Sequence, residues 1–297
     1  MVWPVAVSLL GLLFVVSTAR GEIRHSFLAT GGFTRLVGED GAVTWTTPQS
    51  TRDGWVLAEG DLLLTLSKSR EHPGGAVVRM NRAGDSKLIF AGTQSEVNTS
   101  QLLANGNVVL TEAGPQPRLL ELDAAGKIVL EFPLQCQLTN HHMQSRMTRK
   151  LANGNYLVPQ LLDKVVREYT PEGKIDWEVA TPHWPFTAIR LANGNTLIGC
   201  TYGNLVIEVD PTGKTVWQIS NEDFEGKPIK DACGVQRLAN GNTVIASYGI
   251  GENRLKLLEV TPAKKIVWTY TDDSKPGIHH FQILTTNGRP EPDINSR

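Results

Sequence analysis

Short runs of Val, Ile, Leu and Thr, broken at close intervals by Asn, Gly, Asp and Pro, fill most of the chain from about Ser26 onward. Such runs predict strands joined by tight turns. Two turn-bearing patterns recur. The first is a LANGN hairpin: QLLANGNVVL from Gln101, RKLANGNYLV from Arg149, RLANGNTLI from Arg190 and RLANGNTVI from Arg237. Looser copies are VLAEGDLLL from Val56 and ILTTNGRP from Ile283. The Asn-Gly pair predicts a type I′ turn, with positive φ at both central residues. The second pattern is strand, Pro/Asp/Gly turn, strand, clearest in VIEVDPTGKTVW from Val206 and VVREYTPEGKIDW from Val165.

The two patterns alternate, so each repeat carries four short antiparallel strands. The marker leucines Leu57, Leu103, Leu151, Leu191 and Leu238 stand 40 to 48 residues apart. That period with four strands predicts a propeller blade, and six units make an all-β, six-bladed β-propeller. The ends of the chain supply the closure. SFLATGG from Ser26 aligns with LIGCTYG from Leu197, a second strand lacking a first, and HHFQIL from His279 supplies the missing one. One blade therefore takes three strands from the N-terminal side and one from the C-terminal side, which leaves no open edge. Trp45, Trp177, Trp217 and Trp268, with Leu88 and Leu130 at the same position, are expected to pack between blades as core rather than as a cofactor platform.

Met1–Ala19 reads as a signal peptide: an almost unbroken apolar run followed by Ser17-Thr18-Ala19, small residues where a signal peptidase reads. Residues 26–288 form the propeller and 289–297 a C-terminal tail, and the protein is expected to be exported, to the periplasm or beyond the cell, with no membrane span in the mature chain. With 29 Lys and Arg against 30 Asp and Glu, the balance gives no reason to expect nucleic acid as a partner. The three cysteines, Cys136, Cys200 and Cys233, leave at least one unpaired, with a Cys200–Cys233 bridge open as an alternative. Motifs for zinc, for phosphate-cradling loops and for a serine nucleophile elbow are absent, and no metal ligands are assigned.

The inner strand of each blade, the one leading into each LANGN turn, lines a propeller's channel. Counting back five residues from each marker, with a correction for an insertion in the last copy, gives Arg52, Asn98, Arg146, Phe186, Cys233 and His280 as one layer. His141, His142, His183, Asp231 and His279 lie just upstream, at the mouth. Paired guanidinium donors suit sulfate, phosphate or carboxylate, and His280 or His183 has the chemistry of a nucleophile or general acid/base.

The Asp/Pro-x-Gly-Lys-x-x-Trp half of the repeat resembles the quinoprotein alcohol dehydrogenase-like propellers, with their PQQ-like repeats. The LANGN hairpin after His-bearing strands resembles the bacterial arylsulfotransferase propellers. The first resemblance implies pyrroloquinoline quinone. The chain has neither the adjacent cysteine pair of many such enzymes nor an evident calcium-holding set, so the quinone is not expected and the cofactor stays unassigned. The second implies a channel histidine that accepts a sulfuryl group, carried over onto His280 or His183, with Arg146 as the anion-binding arginine; those enzymes normally add a further N-terminal domain, which is not expected here. Three roles follow as expectations: binding of a polar or anionic ligand such as a carbohydrate or a sulfated or phosphorylated compound; sulfuryl transfer or hydrolysis; or a platform for a protein partner at the loops.

Overall fold

A computed structural model describes residues 22–248, 251 and 254–292. The signal peptide expected at Met1–Ala19 lies outside the described residues. Among them, no helix is long and apolar enough to cross a membrane.

Six antiparallel sheets of four strands form the ring, as the repeat predicts. Blade 1 pairs His25–Gly31, Thr34–Val37 and Val43–Thr47 with Ile278–Thr286 from the far end of the chain. Blades 2 to 6 follow in order, their inner strands being Thr51–Val56, Glu96–Leu102, Arg149–Lys150, Trp184–Arg190 and Ala232–Arg237. A two-residue strand, Arg289–Pro290, adds to the inner strand of blade 1, so the segment read as a tail begins inside the sheet.

The core is divided among the seams between blades. Leu28 and Leu36 of blade 1 meet Leu62, Leu64 and Val78 of blade 2, and Leu197 and Val206 of blade 5 meet Val235, Ile245 and Leu258 of blade 6. Each sheet face is apolar because both faces are covered by neighbours. The tryptophans pack between blades as expected and add a polar tether. The indole N–H of Trp45, Trp177 and Trp217 donates to the carbonyls of Arg82, Pro211 and Pro262, each in a turn of the next blade. Trp268 instead meets His25 edge-on across the closing seam, with ring centroids 4.6 Å apart.

The LANGN turn differs from the expected type I′. The glycines Gly106, Gly154, Gly194 and Gly241 have positive φ, but the asparagines before them do not. Gly106 N–H donates to the Leu103 carbonyl and Leu103 N–H to the Asn107 carbonyl, the pattern of a type I turn followed by a left-handed glycine. Only Asn287-Gly288, with φ of 50° and 75°, has positive φ at both residues. The second asparagine of each motif has its own task. Asn107, Asn155, Asn195 and Asn242 donate through Nδ2 to Glu121, Glu168, Glu208 and Glu259 on the third strand of the same blade. The same carboxylates receive Lys150, Arg190, Arg237 and His25 from the following blade. The repeated motif therefore ties each of these blades to the next through one shared carboxylate.

Candidate functional site

The inner strands do not pair evenly with their neighbours. In blade 2 Arg52 is skipped between Thr51 and Asp53; in blade 3 Asn98 is skipped; in blade 5, Phe186. Blade 6 places Cys233 and Gly234 opposite Ala246 alone, and blade 1 skips His279. In blade 4 the irregularity falls beside Arg146, whose N–H reaches the Pro159 carbonyl while Met147 takes a φ of 24°. An extra residue in one strand of a pair kinks the strand and re-aims its side chain, and here the skipped residues stand in one layer around the channel.

The sixth member of this layer is His279, not the His280 reached by counting. A second irregularity, at Leu284, adds one residue between the last turn and the channel, so the count stops one position late. His280 falls in the next layer, at the pairing position held by Asp53 and Thr99 in blades 2 and 3.

A cavity of about 250 Å³ opens at the upper layer, lined by Arg52, Arg146, Phe186, Cys233 and His279 with His142, Met143, Leu161, Thr201, Tyr202, Asp231 and Tyr248. Asn98 shares the layer but not the lining. It is fully buried with neither side-chain polar atom partnered, so its Asn-Thr-Ser sequence is no place for a glycan. His141 stays outside the cavity with Nδ1 2.8 Å from Ser95 Oγ. His183 is exposed at the entrance to its strand and does not line the cavity. Cys200 and Cys233 are free thiols, which settles the disulfide alternative.

The charges are unevenly matched. Arg52 lies 3.5 Å from Glu96, which also binds Lys68 and His142 at 2.9 Å. Burial would raise the Glu96 pKa, but the His142 hydrogen bond, Arg52 and Lys68 hold it well below the usual carboxylate range. Arg146 has no such partner. The residue is 2% exposed, and the one hydrogen bond of its guanidinium runs from Nη1 to the Ser145 carbonyl at 2.8 Å, with no carboxylate paired to it among the described residues. Burial, and then Arg52, push its pKa down to about 9, so it remains a cation at neutral pH.

His279 is stacked between Tyr248 and Phe186, with centroids 4.6 and 5.9 Å away and planes within 12° and 14°. Burial, Arg52 and Arg146 lower its pKa to about 3, so the ring is neutral, and Nδ1 is buried without a partner. Cys233 is likewise a thiol, its pKa pushed up to about 12 by burial. This is the inert state of a buried cysteine rather than a nucleophile.

Beneath the cavity the channel is plugged. Asp53 accepts from Thr99 Oγ1 at 2.6 Å and from both terminal nitrogens of Arg149 at 3.0 and 3.3 Å. His280 Nε2 stands 3.5 Å from Asp53, too far for a normal hydrogen bond, and both of its ring nitrogens are buried without a partner. Burial lowers the His280 pKa to about 4 despite Asp53.

Tyr202, Tyr248, Thr201 and the Asp53–Arg149 pair went unread in the sequence. Thr201 ends the second strand of blade 5 and Tyr248 follows directly on that of blade 6, at the same distance from their marker leucines, and that shared register was the available signal. Tyr202, Asn204 and Asp231 all take left-handed φ near the mouth, at 57°, 50° and 51°. Left-handed backbone outside glycine gathers at binding sites more than elsewhere.

No protein-family model matches the chain, and no curated protein matches it. Solved structures do. A protein of unknown function from Bacteroides caccae superposes with a TM-score of 0.75 at 23% identity, covering 87% of this chain and 98% of that one. A streptogramin B lyase gives 0.60 at 14%, covering 86% of each chain. A catalytically inactive virginiamycin B lyase from Staphylococcus aureus, solved with quinupristin, gives 0.56 at 14%, covering 77% and 73%. What they share with this chain is the propeller fold. At these identities the likeness extends to architecture and not to activity.

Proposed function

We propose that this propeller, exported by its N-terminal segment, binds a small organic anion in the upper cavity. The acid group, whether sulfate, phosphate or carboxylate, sits between Arg146 and Arg52. The observation that carries this reading is the buried guanidinium of Arg146, which faces the cavity without a carboxylate. Burying an unpaired charge costs several kcal/mol, and an anion that shares its N–H donors removes much of that cost through charge-assisted bonds. Phe186, Leu161 and Met143 offer an apolar wall to the rest of the ligand, which suits an aryl or ring-bearing acid better than a bare inorganic ion. A platform role at the loops would leave Arg146 without a use. The test is a thermal-shift series with sulfate, phosphate and benzoate. Melting temperatures that rise in the wild type and not in Arg146→Gln support the reading; equal shifts in both overturn it.

His279 favours a second reading, sulfuryl transfer. Its neutral ring and unpartnered Nδ1 meet the needs of an acceptor better than the exposed His183 or the plugged His280. In that step the ring turns to bring the buried Nδ1 into the cavity, Nδ1 attacks the sulfur of an aryl sulfate, the sulfur–oxygen bond breaks and phenolate leaves with the electron pair. A sulfuryl adduct on the intact chain after incubation with an aryl sulfate, lost in His279→Ala, supports it.

A further inference from the structure

The cavity holds one more unmatched charge, of the opposite sign. The Asp231 carboxylate lines the same cavity as the two arginines, yet among the described residues it makes neither an ion pair nor a side-chain hydrogen bond. Its backbone is fixed in the left-handed region at φ 51°, with its N–H donating to Asn204 Oδ1 at 2.7 Å, and Asn204 is itself left-handed. This bond fixes the backbone at the mouth, and the carboxylate makes no hydrogen bond within its own turn. Arg146 and Asp231 both act electrostatically on Cys233, which lies in the wall of the cavity, but they are not paired. Lys227, Lys230 and Arg254 line the depression that adjoins Asp231 on its outer side, and none of them is ion-paired to it.

Two arginines from blades 2 and 4 and an unpaired carboxylate at the head of the inner strand of blade 6 make the cavity complementary to a molecule carrying both charges. We propose that the ligand is a zwitterion, an amino acid or an amino-substituted organic acid, with its acid group on Arg146 and Arg52 and its ammonium on Asp231. The volume of about 250 Å³ equals about eight waters at liquid density, which restricts the bound part to a small molecule or to one unit at the end of a chain. This inference rests on the anion reading above and adds the second charge to it.

The test uses the ω-amino carboxylic acids from glycine to 6-aminohexanoate, each against the unsubstituted carboxylic acid of the same length, by calorimetry at pH 7. The series spans the charge separations that the cavity admits, so a single wrong spacing does not decide the result. Three proteins are compared: wild type, Asp231→Asn and Arg146→Gln. Asparagine tolerates the left-handed backbone, so Asp231→Asn removes the charge and keeps the turn, which an unchanged melting temperature verifies.

At least one amino acid is expected to bind the wild type about tenfold more tightly than its unsubstituted counterpart, the worth of one charge-assisted contact. In Asp231→Asn that preference disappears while the plain acid binds as before, and in Arg146→Gln both weaken. If amino and plain acids bind equally, and both depend on Arg146, the zwitterion inference falls and the anion reading stands. If no member of either series binds, both fall.

Discussion

The imidazole of His279 lies almost parallel to the ring of Tyr248, with centroids 4.6 Å apart and planes within 12°. The stack buries a titratable ring against an apolar face beside two arginines, and it keeps that ring uncharged. His280, one residue on, is kept neutral by burial in the plug below.

Stability should therefore respond to mild acid. Both histidines titrate in the fold well below their ordinary value of 6.5, near 3 and near 4, so the unfolded chain takes up protons first as the pH falls. The contribution of these two histidines is constant above about pH 6.5 and stability declines below it, by up to about 1.4 kcal/mol per pH unit for each histidine. Denaturant midpoints between pH 7 and pH 5 measure the slope, and His279→Asn should make it shallower. A slope that His279→Asn leaves unchanged would contradict the account.

Arg146→Met should stabilise the ligand-free protein by about 1–3 kcal/mol. It replaces a buried guanidinium that has no carboxylate with an apolar chain of similar length, and such exchanges are commonly neutral or favourable. The same variant should lose affinity for anions. Urea unfolding with and without benzoate separates the two effects.

Glu208 accepts Asn195 from its own blade and Arg237 from the next. Glu208→Ala should destabilise by about 1–3 kcal/mol by leaving both donors without their acceptor. In a double-mutant cycle with Arg237→Ala the two effects should be non-additive, since the side chains touch.

Removing residues 278–297 takes away the inner strand of blade 1 and exposes the unpaired edge of His25–Gly31. The shortened chain should lose its cooperative thermal transition, because the seam between blades 6 and 1 then loses Ile278, Phe281 and Ile283 from its core. Adding back the missing segment as a peptide should restore part of the transition if strand pairing is the cause.

The ring was legible because repetition states it several times over: turn residues at a fixed period, Trp at one place on the outer strand, and chain ends that complete one blade. The turn type was misread because Asn-Gly is compatible with both a two-residue and a three-residue loop, and the residues before it decide which forms. The channel layer was legible for Arg52, Asn98, Arg146, Phe186 and Cys233, where one irregularity per strand preserves the count. It failed at His280, where the second irregularity at Leu284 shifted the register. Electrostatic partners such as Glu96 for Arg52, and Asp53 for Arg149, come from different blades, and no local pattern brings them together. Nor does any local pattern reveal that Arg146 is left without one.

An acid group bound between Arg146 and Arg52 is visible in a crystal grown with 4-bromobenzoate, through the anomalous signal of bromine. A bromine peak is expected in the upper cavity, with the carboxylate within hydrogen-bonding distance of Arg146 and no peak there in Arg146→Gln. A cavity without bromine in the wild type, or one equally occupied in the variant, would contradict it.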